Sequence, residues 1–257
     1  MIRFERYVAI GDSSTEGLID PDGQGGFRGW ATRLAEHLAR AQGRLLYANL
    51  GVRGKRTRQI RREQVPAALA MHPDLVTLFS GTNDVLTRRF DAEELGRDVE
   101  AMHRELIASG AAILTFTLPD LTPFMPLGRL IAFRIRALND TLRAVARTTG
   151  ATLVDFAAHP VASDARLWNE DRLHANALGH ERIAAALAHA LGIPGTDPSW
   201  NDPLPVTEAP RAGAWLRREL RWTRHHLAPW IWRHARGRSS GDCVLPNRPT
   251  LAPVDLS

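Results

Sequence analysis

Apolar positions in this chain gather into short continuous runs separated by longer stretches of helical period. Five runs predict strands, over residues 7–10, 45–50, 75–79, 112–116 and 152–156. Helical periodicity between them covers residues 30–41, 57–70, 92–108 and 130–148, and a last helix is predicted over 177–191. Strand and helix alternate throughout, which implies parallel strands joined by right-handed crossovers, a sheet with helices on both faces. The strands are apolar at successive positions rather than at alternate ones, as expected when both faces are covered. The predicted class is therefore α/β, a three-layer α/β/α sandwich.

After Gly192 the pattern breaks at Pro194, Pro198, Pro203, Pro205 and Pro210, and periodicity is lost. One domain is expected over residues 1–192, a Pro-rich linker over 193–210, and a basic helix with a C-terminal tail over 211–257. On a helical wheel Trp215, Leu216, Leu220, Trp222, Leu227, Trp230 and Ile231 share one arc, and Arg217, Arg218, Arg221 and Arg224 oppose them. Pro229 should kink or end the first helical piece. Such a helix either packs its apolar arc on the domain or lies on an anionic membrane surface, so residues 211–236 are the candidate for peripheral membrane contact. The packed arrangement is preferred, and the stretch from Gly237 onward reads as loop.

Composition adds bounds. At 257 residues, 44% hydrophobic and 24% charged, the chain is that of an ordinary globular protein. No apolar stretch approaches the roughly 20 residues that span a bilayer, and the first residues carry no secretion-signal core, so a cytoplasmic protein is expected. A lone cysteine, Cys243, precludes an internal disulfide. The net charge of +5 is almost wholly arginine, Lys55 being the one lysine, and it says little about partners.

Chemistry concentrates where strands end. In an open parallel sheet the ligand crevice lies at the carboxyl ends of the strands. Gly11-Asp12-Ser13-Ser14 follows the first run, Gly51 the second, Gly81-Thr82-Asn83-Asp84 the third, and Asp171-Arg172-Leu173-His174 comes after the fifth. All fall on one edge of the layer. A serine hydroxyl needs a base to accept its proton, and a neutral imidazole does this near pH 7. Ser13 is the candidate nucleophile and His174 the candidate base. Asp171, three residues earlier, is placed to fix the tautomer of His174 and stabilise its protonated form.

These four blocks, in this order, resemble the GDSL or SGNH family of serine hydrolases, over residues 6–192. The string through Thr15-Glu16-Gly17 is similar to a bacterial subgroup with that continuation. The resemblance implies a flavodoxin-like fold with five parallel strands in the order 2-1-3-4-5. It implies an oxyanion hole made by the backbone N–H groups of Ser13 and Gly51 and the side-chain amide of Asn83, and an acyl-enzyme formed on Ser13 without any cofactor. Ser14 stands where the family name has leucine, and Ala175 where many members have proline; neither touches the proton path. Asp12 is expected to bond loop amides rather than act as a second acid. The activity expected is hydrolysis of a small-molecule carboxylic ester. A thioesterase, a carbohydrate deacetylase or an acyltransferase would use the same machinery, and a docking module for membrane or polyanion is the alternative from another class.

Leu121, Phe124, Met125 and Leu127 lie in a Pro-punctuated loop after the fourth strand, the candidate wall of an apolar acyl pocket. Arg53, Lys55, Arg56, Arg58, Arg61 and Arg62 form a basic run without interleaved aromatics, read as a solvated helix start rather than a nucleic-acid site. Gly237-Arg238-Ser239-Ser240-Gly241 has the spacing of a nucleophile elbow but no strand before it and no histidine after it. Asp171, His174 and His180 have no further clustered ligands, and no metal site is expected. The sequence leaves the oligomeric state open.

Overall fold

The computed structural model describes residues 3–125, 128–206, 221–227 and 240–256. Strands β1 (Arg6–Gly11), β2 (Leu46–Asn49), β3 (Leu75–Phe79), β4 (Ala112–Phe116) and β5 (Thr152–Val154) pair in parallel in the order 2-1-3-4-5. Helices α2 (Gly29–Gln42) and α7 (Ala177–Ala190) pack together on one face, and α3 (Thr57–Leu69), α5 (Ala92–Ala108) and α6 (Gly128–Thr149) on the other. Two short helical turns, α1 (Ser13–Glu16) and α4 (Thr82–Val85), begin directly beyond β1 and β3. With helices on both sides, β3 is buried at every position, which is why its sequence Leu75-Val76-Thr77-Leu78-Phe79 shows no alternation.

Among the described residues the sheet has six strands, not five. β6 (Arg248–Pro253) lies antiparallel against β2, pairing Tyr47 with Ala252 and Leu46 with Pro253. The tail expected to be loop therefore closes one edge of the sheet. Its sequence hides this because an outer edge strand needs neither a continuous apolar run nor every N–H; β6 carries two prolines and is exposed at most positions. The core also continues past Gly192: Ile193 and Trp200 are buried, and Trp200 meets Phe156 edge-on at 5.7 Å. Truncation after Gly192 is expected to cause aggregation or to lower the melting temperature by roughly 10 °C, since it removes a buried tryptophan and bares the β2 edge. A truncated protein with wild-type solubility and melting temperature would show that these contacts contribute little.

The predicted basic helix falls mostly outside the described residues; within 221–227 the chain is helical and Trp222 is buried. Among the described residues no helix is long and apolar enough to cross a membrane.

Candidate active site

The loop after β1 is built around Asp12. Its carboxylate caps α1 by accepting from Ser14 N at 3.0 Å, and accepts from the Asn83 amide at 3.2 Å. It bonds loop groups, and burial pushes its carboxyl up to about 7 despite the Ser14 bond. Below it, Gln64 of α3 holds the last residue of β1 from both sides, accepting from Gly11 N and donating to Gly11 O. Gly17 ends α1 in the left-handed conformation, φ 87°, where a Cβ would lie 2.7 Å from the Cα of Gly29. Ser13 is thus fixed at the first position of a helical turn, over the carboxyl end of the sheet.

His174 arrives from the far side of the sheet. After β5 the chain makes three single turns of 3₁₀ helix and then a narrow loop, closed by a bridge between Trp168 and Ala175 and by Asn169 N donating to His174 O at 2.8 Å. Asn176 caps α7 immediately afterwards, accepting from Gly179 N. Within the loop one Asp171 oxygen accepts from Leu173 N and His174 N, both at 3.0 Å, and the other accepts from His174 Nδ1 at 2.7 Å. The opposite ring nitrogen, Nε2, lies 2.8 Å from Ser13 Oγ. With Nδ1–H committed to the carboxylate, Nε2 presents its lone pair to the serine O–H. Burial alone would raise the Asp171 carboxyl, but the hydrogen bond and charge of His174 outweigh it and hold the group at about 2.

Gly51 is not brought to this site. Its N–H is donated to Asn49 Oδ1 at 2.9 Å, and it packs against the backbone of Thr15 and Glu16. Of the two glycines in this loop, Gly54, at φ 76°, is the one that lines the cavity with Ser13 and Asn83. The loop reaches there because Arg53 turns inward: its backbone N–H and guanidinium both bond Glu16, whose side chain is 1% exposed. Arg53 accordingly leaves the solvated basic run in which the sequence placed it. Glu16 closes the α1 turn and is buried, so its carboxylate needs a cation, and Arg53 supplies it. Asn83 sits at the start of α4 and donates to Lys55 O at 3.0 Å as well as to Asp12. Asp84, raised by burial, accepts from Thr57 N and Oγ1 and ties α4 to α3.

A cavity of about 1080 Å³ opens over Ser13 and His174. Of the predicted wall, Met125 lines it. Leu121 is instead buried in the core, and Phe124 stacks on Trp168, which is itself a lining residue the sequence did not suggest. Leu127 lies outside the described residues. Phe116, Leu118, Phe156 and Leu167 complete an apolar end. His180 forms no hydrogen bond with Ser13, His174 or Asp171: Nδ1 accepts from Trp30 N, Nε2 donates to Leu18 O, and burial lowers it to about 4.

The sequence profile of the GDSL-like lipase/acylhydrolase family matches residues 9–182. No curated protein sequence matches the chain. Among solved structures the chain is similar to TesA, at 23% identity and TM-score 0.61, covering 73% of this chain and 98% of that one. It is also similar to a lipase/acylhydrolase from Enterococcus faecalis, at 21% identity and TM-score 0.60, covering 73% of this chain and 95% of that one. An acetylxylan esterase from Geobacillus stearothermophilus, in a catalytic-mutant form, shares 18% identity at TM-score 0.61, covering 79% of this chain and 99% of that one. At these identities the structural likeness is one of fold. The profile match spans most of the α/β layer and takes in every residue of the Ser13, His174 and Asp171 cluster, and on that ground the chain belongs to the GDSL-like lipase/acylhydrolase family.

Proposed function

We propose that the protein is a serine esterase that hydrolyses carboxylic esters through an acyl-enzyme on Ser13. One observation carries this reading: an unbroken hydrogen-bonded line from Ser13 Oγ through His174 to Asp171, at 2.8 and 2.7 Å, facing a largely apolar cavity. Ser13 Oγ attacks the ester carbonyl as His174 Nε2 takes its proton. His174 returns that proton to the leaving alcohol, and the same base then activates the water that releases the acid. Asp171, ionised throughout, stabilises the imidazolium in both steps.

The oxyanion is held by Ser13 N–H, Gly54 N–H and the Asn83 amide, Gly54 replacing Gly51 because, of the two glycines in that loop, it is Gly54 that lines the cavity. Asn83 reaches the oxyanion by exchanging the longer of its two bonds, that to Asp12. Asn83→Ala is expected to lower kcat by roughly a hundred- to a thousandfold with a smaller change in KM, because the amide is needed once the carbonyl oxygen carries charge. A defect confined to KM would exclude Asn83 as an oxyanion donor.

The apolar end of the cavity supports an acyl chain as the buried part of the substrate. Labelling by a fluorophosphonate, mapped to Ser13, with turnover of aryl esters of increasing chain length set against acyl-CoA and acetylated sugars, tests the reaction and ranks its leaving groups. Binding to anionic liposomes without labelling or turnover would favour the docking-module alternative.

A further inference from the structure

The turn that carries the catalytic acid is strained. Arg172 adopts φ 62°, in the left-handed region that side-chain-bearing residues rarely occupy, between Asp171 and the two N–H groups that Asp171 must hold. Such a conformation persists only where its surroundings over-determine it. Inside the turn, Arg172 N donates to Asn169 O at 2.9 Å. From elsewhere in the chain, Trp222 makes two contacts with the turn. Its indole Nε1–H donates to the Asp171 carbonyl at 3.2 Å, and the Arg172 guanidinium lies 4.7 Å from the centre of its ring. Arg172 and Trp222 are both buried, at 7% and 8% exposure. An arginine over an indole face, removed from water, is among the stronger cation–π arrangements.

Trp222 lies well beyond residue 182, where the family profile ends. Other parts of the same C-terminal region also reach the catalytic edge: Ser240 and Asp242 line the cavity, and Asn247 Nδ2 donates to Glu16 O at 3.2 Å. We infer that Trp222 is a positioning residue for the acid–base pair, bracing the Asp171-Arg172 turn so that His174 stays aligned with Ser13. It acts through Asp171 and takes no part in bond making. A segment outside the family domain thereby sets the catalytic geometry. The inference rests on the esterase reading for its kinetic consequence but not for its structural one.

Two full-length variants separate the contacts. Trp222→Phe keeps an aromatic face for Arg172 and removes the N–H donor; Trp222→Ala removes both. Turnover of a short aryl ester is measured per active site, counted by fluorophosphonate labelling. We expect kcat to fall roughly threefold to tenfold in the Phe variant, the worth of one hydrogen bond. In the Ala variant it should fall about ten- to a hundredfold, as displacement of a catalytic group by up to about 1 Å does. KM should stay within about twofold, and the factor should be the same for short and long acyl chains. Unchanged kcat in both variants overturns the inference. So does a loss seen only in KM for long esters, which would make Trp222 merely part of the cavity wall. If the Ala variant does not fold, the Phe variant decides alone. The low-field ¹H resonance of His174 Nδ1–H gives a readout independent of turnover: it should be sharp in the wild type and broadened by exchange in the variants. Wild-type protein that neither labels nor hydrolyses esters would sink the esterase reading, while this resonance, altered or not, still supports or overturns the brace.

Discussion

Ser13→Ala is expected to reduce hydrolysis of activated esters by at least about a thousandfold, the loss seen when the nucleophile of a covalent catalytic unit is removed. The fold should be untouched. Ser13 opens a four-residue helical turn, is half-buried at the cavity rather than packed in the core, and has its hydroxyl engaged only with His174 among the described residues. Alanine leaves no internal void there, and water in the cavity can meet the freed Nε2. The cap that holds the turn belongs to Asp12 and stays. Near-normal turnover from a Ser13→Ala protein with wild-type melting behaviour would refute the acyl-enzyme mechanism.

The parts of this architecture that could be read in the sequence are those encoded locally. Each of β1 to β5 is an apolar run, and each long helix carries a period, so burial on both faces wrote the layer into the chain directly. Asp171 and His174 were legible because their contact spans three residues and needs no tertiary argument. Their approach to Ser13 from sequence positions far away followed from one rule, that the strand ends share an edge.

What stayed hidden depends on which way a backbone turns. Gly51 and Gly54 flank the same loop, and only the inward pairing of Arg53 with buried Glu16, distant in sequence, selects Gly54 as the one that lines the cavity. Likewise Leu121, Phe124 and Met125 share a loop with no period to tell core from cavity; the structure gives one residue to each of three environments, core, ring stack and cavity wall. β6 was invisible because an exposed edge strand leaves no apolar signature. Trp222 was assigned to an amphipathic arc, which foretold its burial but not that the surface it meets is the Asp171-Arg172 turn.

Asp171→Asn should be still more damaging than loss of an oxyanion donor, with kcat falling by about ten-thousandfold, as an acid-to-amide change does in catalytic triads of this kind. The bonds around the side chain explain why. One oxygen of Asp171 accepts from Leu173 N and His174 N, and an amide oxygen can replace it in that role. The amide nitrogen must then take the other place, opposite His174 Nδ1. It can only donate there, so the imidazole must turn its lone pair toward the new amide and carry its proton on Nε2, the atom that faces Ser13. The base is then protonated where it needs to accept, in a site otherwise intact. The acid stability should change as well. A carboxyl held at about 2 against an ordinary 3.8 contributes stability that is present above the ordinary value and lost as pH falls through the lower one. The contribution is about 2 kcal/mol. The Asn variant lacks it, and its stability should decline less steeply than the wild type's over that interval. Wild-type kcat in Asp171→Asn, measured at pH 7 on protein whose fold is verified, would mean that His174 is oriented by something other than this carboxylate.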